Sequence, residues 1–388
     1  MNTHSALDIE VTRLAMREQM PIAKKWAYFD HAAVAPITAP AAAAMNLQTE
    51  QALVEGDTAW PEWARLLNET RQAAADLIHA HPNEIALVPN TTAGINYVAE
   101  GLDWRAGDNV VTLADEYTSN LYPWMNLADR GVETRLVPTA DGRVDYDQLA
   151  DHCDDRTRLI TVSWVAFSNG CRRDLKTIGD VAARRGVLFL VDAIQGLGAF
   201  PLDVTETPID FLSADGHKWM LGPEGAGMAY IRRDRLPLLR PMSVGAHSVV
   251  HSTDYTHIEL RLKDDASRYE GGSTNVPGML GFGASLRLLQ SLGVSNIAAA
   301  ILDISDHVCN ELAALGLRVI SPRNGDERSG IVSFEYPGAD LLAVRRHCLH
   351  RGVALACRAG RIRVSPHGYN NREDVDRLVE ALRSFREG

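Results

Sequence analysis

One lysine stands out because of its sequence neighbours. Lys218 lies between His217 and Trp219 and is followed by LGPEGAG, whose glycines and Pro223 predict a tight turn before the next apolar strand. Asp192 follows the unbroken apolar run VLFLV, about one strand–helix–strand step before the lysine. Open α/β sheets bind ligands at the carboxyl ends of their parallel strands, where such a carboxylate would lie. The ordinary alternatives are a surface lysine and an aspartate that caps a turn.

A second segment carries groups that suit a phosphate. Thr91 and Thr92 stand at the predicted start of a helix in PNTTAGINYVAE, where free N–H groups and hydroxyls could bind an anion. Threonine is also a common helix cap for local reasons. A phosphate site, a buried aspartate and a loop lysine are together the groups that hold pyridoxal 5′-phosphate (PLP). The lysine would bind PLP as a Schiff base, and the aspartate would keep the pyridine nitrogen protonated.

Hydrophobic periodicity predicts the framework that would position these groups. Apolar runs of strand length alternate with helix-period segments, which indicates a mainly parallel sheet covered by helices. The predicted strands span residues 109–113, 158–165, 187–191, 209–213 and 227–231. The helices predicted between them include residues 120–130, 146–153 and 175–185, the last ending at Gly186.

The pattern changes after about residue 283. A long helix is predicted at 297–315 and a final amphipathic helix at 373–385, with short strands at 317–320, 330–334, 353–357 and 362–365. We therefore predict an α/β fold with two domains. Residues 26–283 would form the large domain, and residues 1–25 with 284–388 a small α+β domain.

The amino-acid composition limits the classes of molecule that this protein is expected to bind. The 388-residue chain has 39 Lys and Arg against 50 Asp and Glu, a net charge of −11, which argues against nucleic acid or an anionic membrane. Its five cysteines form no CxxC pair, so neither a disulfide framework nor a thiolate metal site is predicted. We find neither a secretory signal pattern nor an apolar run of ~18 residues, and we expect a cytoplasmic protein without a membrane span.

The ordered motifs of the chain resemble the class V aminotransferase family of fold-type I PLP enzymes. This family includes cysteine desulfurases, selenocysteine lyases, isopenicillin N epimerase-like proteins and some true aminotransferases. The resemblance extends from YFDHAAVAP to GYNNREDVDRLVEAL and includes NTTAGIN, DEYTSNLYPW, VDAIQ, DGHKW with GPEGAG, RYEGGSTN and RIRVSPHGYN. It implies a fold-type I PLP enzyme that acts on a small amino acid.

The resemblance assigns roles around the cofactor ring. Lys218 resembles the lysine that binds PLP and later moves the proton at the substrate Cα. Asp192 resembles the partner of the pyridine nitrogen, and Gln195 that of the phenolic oxygen. Tyr117 occupies the ring-stacking position that is histidine in many desulfurases, and its aromatic face still supplies a stacking surface.

Other matching positions concern the phosphate. Thr91, Thr92 and His217 match phosphate-binding residues of the family. Ser273 matches a residue that reaches the phosphate from the neighbouring subunit, which implies a homodimer with a shared active site. Asp215 stands where the family often has a small hydroxyl residue. A carboxylate would repel the phosphate, so we expect Asp215 to point elsewhere and to orient His217.

The C-terminal part supplies the predicted substrate contacts. Arg363 matches the arginine that binds the substrate α-carboxylate through its planar guanidinium. Arg358 is a second candidate, and His31 lies where the family places an active-site loop. Desulfurases carry a catalytic cysteine on a loop between two C-terminal strands, but LACRAGRIRVSP leaves no room for it. We interpret Cys357 as a core-facing strand residue, and Phe167 replaces a desulfurase asparagine.

These departures favour a lyase over a desulfurase. We expect β-elimination, of the C–S lyase type, in an enzyme without a persulfide cysteine. Aminotransferase and epimerase reactions stay open, because Lys218 could serve either. A non-catalytic protein with the same fold is the alternative from another class, but a scaffold has no need of the lysine, the aspartate, the glutamine and the arginine together.

Overall fold

The computed structural model describes residues 5–254 and 256–387. The helices are α1 (Ala6–Glu18), α2 (Ala39–Val54), α3 (Trp60–Leu77), α4 (Thr91–Gly101), α5 (Tyr122–Met125), α6 (Tyr146–Asp151), α7 (Leu175–Arg185), α8 (Val276–Leu292), α9 (Val294–Ala314), α10 (Leu341–His350) and α11 (Arg372–Glu387). The strands are β1 (Ala27–Tyr28), β2 (Ile85–Val88), β3 (Asn109–Leu113), β4 (Glu133–Val137), β5 (Thr139–Ala140), β6 (Arg143–Val144), β7 (Thr157–Ser163), β8 (Leu188–Asp192), β9 (Phe211–Asp215), β10 (Gly227–Ile231), β11 (Val332–Phe334), β12 (Val353–Ala354), β13 (Ala356–Arg358) and β14 (Arg361–Val364).

A seven-stranded sheet forms the centre of the molecule, in the order β2-β10-β9-β8-β7-β3-β4. Neighbouring strands from β9 to β4 are parallel, and only β10 runs antiparallel to both of its neighbours. Strands β3, β9 and β10 are buried at every position, as expected when helices cover both faces of a sheet. The five strands predicted from apolar runs are all present, and the prediction of a mainly parallel sheet is confirmed.

One predicted helix is much shorter than expected. The sequence predicts a helix over residues 120–130, but the α-helix there is limited to α5, with 3₁₀ turns at Thr118–Asn120 and Asn126–Arg130. Pro123 lies in the first turn of α5, where its missing N–H costs nothing. A helix that began at residue 120 would need that N–H, so the proline delays the helix start.

The C-terminal part contains a three-stranded antiparallel sheet, β11-β14-β13, and a parallel pair of β1 with β12. The predicted strand at 353–357 is therefore two strands in different sheets. The predicted strand at 317–320 contributes only a single bridge, between Val319 and Phe334. Helix α9 places Ile301 in the core of the large sheet and Val308 in the core of the C-terminal part. The predicted domain limits stay a prediction.

Helices α8 and α9 are consecutive and both rich in apolar residues. Within residues 5–254 and 256–387, no single helix has both the length and the apolar composition needed to cross a membrane. Together α8 and α9 meet those two criteria, but they are bent by 83° at the break between them.

Candidate active site

A cavity of about 280 Å³ lies at the carboxyl edge of the large sheet. The ends of β8 and β9, the start of α4 and strand β14 all bring side chains to this region. Most of the residues predicted from sequence line the cavity: Thr91, Thr92, Tyr117, Gln195, His217, Lys218, Arg358 and Arg363. The fold therefore brings together residues that lie far apart along the chain.

Lys218 lies in the turn between β9 and β10. Gly222 N donates to Gly216 O over 2.8 Å and closes this turn around the lysine. Burial lowers the pKa of Lys218, although the nearby Asp192 carboxylate opposes the shift. Its Nζ lies 5.7 Å from the centroid of the Tyr117 ring. A lowered pKa increases the uncharged fraction of the amine, which is the form that acts as nucleophile or base.

Asp192 is the last residue of β8 and is only 2% exposed. It accepts a hydrogen bond from Ile194 N over 3.1 Å. Burial raises the pKa of Asp192, and the neighbouring Glu116 carboxylate adds to the effect. An ionised carboxylate at this depth needs a positive partner, which the protonated pyridine nitrogen of PLP would supply. The buried carboxylate of Asp192 therefore fits a site that binds PLP.

The start of α4 provides the donors expected for a phosphate. Asn90 caps the helix by accepting from Ala93 N over 2.9 Å. Thr91 Oγ1 accepts from Asp215 N over 2.9 Å, which leaves its own hydroxyl proton free to donate. Thr92 Oγ1 lies 3.0 Å from Ser119 Oγ. Hydroxyls and a helix N-terminus at one end of the cavity form a suitable site for an anion.

Asp215 lies beside His217, as its unusual position in the motif suggested. Its Oδ2 is 3.0 Å from His217 Nδ1, an ion-pair distance, although the alignment is not that of a hydrogen bond. The other carboxylate oxygen, Oδ1, is buried and has no hydrogen-bond partner within residues 5–254 and 256–387. Asp215 also lines the cavity with Thr91 and Thr92, so its predicted role in orienting His217 stays a prediction.

Gln195 is held from both ends of its amide. Its Nε2 donates to Ala32 O over 2.9 Å, and its Oε1 accepts from Trp219 Nε1 over 2.8 Å. These bonds fix which end of the amide is nitrogen, because a carbonyl only accepts and an indole only donates. The second hydrogen of Nε2 stays available for the phenolic oxygen of a pyridine ring.

Arg363 on β14 is 2% exposed and carries unused donors. Its Nη1 donates to Phe167 O over 2.8 Å, and its Nε has no hydrogen-bond partner among the residues that the structure describes. Asp30 Oδ1 lies 3.7 Å from Nη2, too far for a hydrogen bond. Burial lowers the pKa of Arg363 to about 10, with Asp30 opposing the shift. A buried cation with free donors is suited to bind a carboxylate. The sequence analysis did not single out Asp30, although it lies in the YFDHAAVAP motif.

The sequence analysis also did not predict the buried ion pair between Glu116 and Arg173, next to Tyr117. Glu116 accepts hydrogen bonds from Ser163 N over 2.7 Å and from Arg173 Nη1 over 3.1 Å. Burial raises the pKa of Glu116, and the Arg173 guanidinium opposes the shift. The pair anchors the chain immediately before Tyr117 to the end of β7. An acidic residue next to the predicted stacking position was the only signal in the sequence.

Three predicted residues lie outside the cavity lining, namely Asp192, His31 and Ser273. His31 is fully buried, with Nδ1 2.8 Å from Ser365 O and Nε2 2.9 Å from the Tyr369 hydroxyl. Ser273 is exposed and lies outside the lining. Its predicted role depends on a second subunit, and it stays a prediction.

The connection between β13 and β14 is as short as the sequence suggested. Residues Ala359 and Gly360 form the whole turn, with φ of 49° and 70°. Cys357 Sγ is 3.2 Å from Leu341 O. Among the residues that the structure describes, no cysteine lines the cavity.

The family model described as aminotransferase class-V matches residues 27–378 of this sequence. The chain belongs to the class V aminotransferase family. Class V enzymes use PLP, so the predictions of a fold-type I architecture, of a PLP-dependent enzyme and of its cofactor are confirmed.

The names of similar proteins in this family refer to sulfur-containing amino acids. A protein of Methanothermobacter thermautotrophicus named probable cysteine desulfurase is 31% identical, over 95% of this chain and 96% of its own. A solved variant of C-DES with glycine covalently linked to the PLP cofactor is 25% identical, with a TM-score of 0.89, covering 94% of this chain and 98% of its own. The cystine C–S lyase C-DES in complex with its reaction product cysteine persulfide is 26% identical, with a TM-score of 0.87, covering 94% and 99%.

Proposed function

We propose that this class V enzyme is a lyase that eliminates a sulfur-containing group from Cβ of a small amino acid. The observation that carries the proposal is that Lys218 and Arg363 line one cavity, with no cysteine among the described residues that line it. The names of the relatives support a C–S bond as the one that breaks. The two-residue turn between β13 and β14 supports a reaction without a persulfide-forming cysteine.

Different residues of the cavity would bind different parts of the cofactor. Thr91, Thr92 and His217 would bind the phosphate, and Tyr117 would stack on the ring. Gln195 would donate to the phenolic oxygen. Bound PLP withdraws electrons from the substrate Cα and so weakens the bonds at that carbon.

Three residues would act on the reaction itself. Asp192 would keep the proton on the pyridine nitrogen. Arg363 would bind the α-carboxylate and thereby orient the Cα–H bond toward Lys218. Lys218 Nζ would take that proton, which the lowered pKa of the amine assists near neutral pH.

The net reaction consumes one water molecule. The Cβ–S bond breaks with its electron pair on sulfur, which leaves as a thiol after gaining a proton. The three-carbon remainder is hydrolysed to pyruvate and ammonium.

Arg358 is exposed and lines the cavity, so we propose that it contacts the outer part of the substrate. Ser273 would complete the phosphate site of a second subunit in a homodimer.

A substrate panel tests the reaction. The PLP-loaded enzyme is incubated with cysteine, cystine and alanine, and products are identified by mass spectrometry. Pyruvate with a released thiol or sulfide supports elimination. A keto acid with pyridoxamine phosphate would instead establish an aminotransferase, and exchange of only the Cα hydrogen with solvent deuterium an epimerase.

The attachment of PLP is tested separately. Borohydride reduction of the yellow enzyme should fix the cofactor on Lys218, as read by peptide mass spectrometry. Lys218→Ala should abolish both the label and turnover, whereas Lys176→Ala, which removes an exposed lysine paired with Asp180, should change neither. A colourless protein without a labelled lysine would indicate a non-catalytic protein with this fold.

A further inference from the structure

Four buried rings form a cluster behind the cavity, contributed by His31, Trp219, His367 and Tyr369. The centroid of the His31 ring lies 5.3 Å from the centroid of the His367 ring and 5.2 Å from that of the Tyr369 ring. The Trp219 and His367 centroids are 5.6 Å apart. The proposed reaction assigns no role to this cluster, although Trp219 directly follows Lys218.

Hydrogen bonds determine the protonation of both histidines. His367 Nδ1 accepts from Gly368 N over 2.8 Å, so His367 Nε2 carries the hydrogen and donates to Trp219 O over 3.0 Å. The same reasoning makes His31 Nδ1 the donor to Ser365 O and His31 Nε2 the acceptor of the Tyr369 hydroxyl. Burial lowers the pKa of His367 to about 4, which agrees with a neutral ring.

The bond from His367 to Trp219 joins two separate parts of the site. His367 follows β14 and is close in sequence to Arg363, the proposed carboxylate ligand. Trp219 O belongs to the residue that follows Lys218, the proposed base. A single hydrogen bond therefore connects the segment that carries the arginine to the turn that carries the lysine.

A second bond on the same tryptophan reaches the proposed cofactor site. Trp219 Nε1 donates to Gln195 Oε1 over 2.8 Å, and Gln195 Nε2 donates to Ala32 O. The tryptophan is thus fixed at its carbonyl by His367 and at its indole by Gln195. Its ring is 1% exposed and packs so closely on Gly330 that an added Cβ would lie 2.4 Å from the ring.

We propose that His367 is a positioning residue, which sets the placement of Lys218 relative to Arg363 by donating to the main-chain carbonyl of Trp219. The inference rests on the proposed roles of Lys218 and Arg363. A base and a carboxylate ligand must keep a fixed separation to act on one Cα–H bond, and displacement by about 1 Å costs up to ~100-fold in rate.

His367→Phe and His367→Gln separate this role from packing. Phenylalanine keeps a ring but removes the donor, whereas the glutamine amide can place a donor near the former Nε2. Tyr336→Phe is the matched control, because the Tyr336 hydroxyl donates to Leu382 O over 2.9 Å inside the C-terminal core. Each phenylalanine variant removes one buried side-chain bond to a carbonyl, and His367→Phe also removes the acceptor of Gly368 N–H.

The readouts are melting temperature, kcat and KM, the affinity for glycine, and the visible circular dichroism of bound PLP. We expect a loss of melting temperature in both phenylalanine variants, and a larger one in His367→Phe, because Gly368 N–H also loses its acceptor there. Only His367→Phe should lower kcat/KM, by about tenfold or more, weaken glycine binding and change the dichroism band. His367→Gln should recover kcat/KM to within about threefold of the wild type.

Wild-type-like kinetics and dichroism in folded His367→Phe would overturn the inference. If that variant does not fold, His367→Gln decides, since a donor-dependent role requires it to keep the wild-type dichroism band. Absence of PLP on Lys218 in the wild type would instead refute the proposed function, so the two failures are distinguishable.

Discussion

Replacing Arg363 by lysine isolates the geometry of carboxylate binding from its charge. The variant keeps a cation beside Asp30, so the aspartate does not lose its neighbouring positive charge. It removes the planar guanidinium donors, and the Nε donor has no partner in the described part of the chain. Lysine offers its donors from a single atom, so at least one of two parallel bonds to the substrate carboxylate is lost.

The size of the effect follows from that one bond. A hydrogen bond between charged groups contributes about 1.5–3 kcal/mol. At about 1.4 kcal/mol for each factor of ten, the lysine variant should bind an amino acid roughly 10- to 150-fold more weakly. The loss should fall on ligands that carry an α-carboxylate and on no others.

The assay compares two ligands that differ only in this group. Alanine and ethylamine share a carbon skeleton apart from the carboxylate, and the visible spectrum of bound PLP reports the binding of each. The variant should weaken alanine binding and leave ethylamine binding unchanged, and Arg361→Lys on the same strand serves as the control. Equal losses for both ligands, or no loss for alanine, would refute the assignment of Arg363.

Three further predictions follow from the described contacts. Asp192→Asn should lower turnover by about 100-fold with a smaller change in KM, because an amide cannot hold the pyridine proton as an ionised carboxylate does; equal turnover would exclude this role. Cys357→Ser should retain product formation, since its Sγ contacts Leu341 O outside the cavity; inactivity would indicate a thiol mechanism. Between about pH 6.5 and 4, His367 becomes protonated in the unfolded chain but not in the native chain, so the melting temperature should decrease as the pH is lowered. The decrease should be less steep in His367→Gln, and parallel curves for the two proteins would contradict this.

The large sheet was predictable because its strands are buried on both faces. Strand β3 and strand β10 match the predicted bounds, since an apolar run between turn residues is a local signal. The segment 353–357 was misread because its division between two sheets depends on β1 and β14, which lie far away in sequence. Partner strands, and not local residues, determine where such a segment is divided.

The prediction of the site residues is also limited by contacts between residues that lie far apart in sequence. Lys218 and Asp192 were found because their flanking residues form recognisable motifs. His367 and Asp30 also lie within motifs, but a buried histidine and a buried carboxylate acquire meaning only through the groups they contact. The bond from His367 to Trp219 O joins residues 148 positions apart. No spacing rule within the sequence predicts such a contact.

The turn at Ala359 and Gly360 has a consequence for how the chemistry of this fold can change. It is a surface connection, and lengthening a loop adds only ~0.6 kcal/mol of closure entropy for each doubling of its length. A hairpin extended at this point could carry a cysteine without disturbing the paired residues Ala356 and Arg363. In the proposed lyase, a short insertion at this turn would therefore add a thiol at the rim of the cavity, while the pairing of β13 with β14 stays the same.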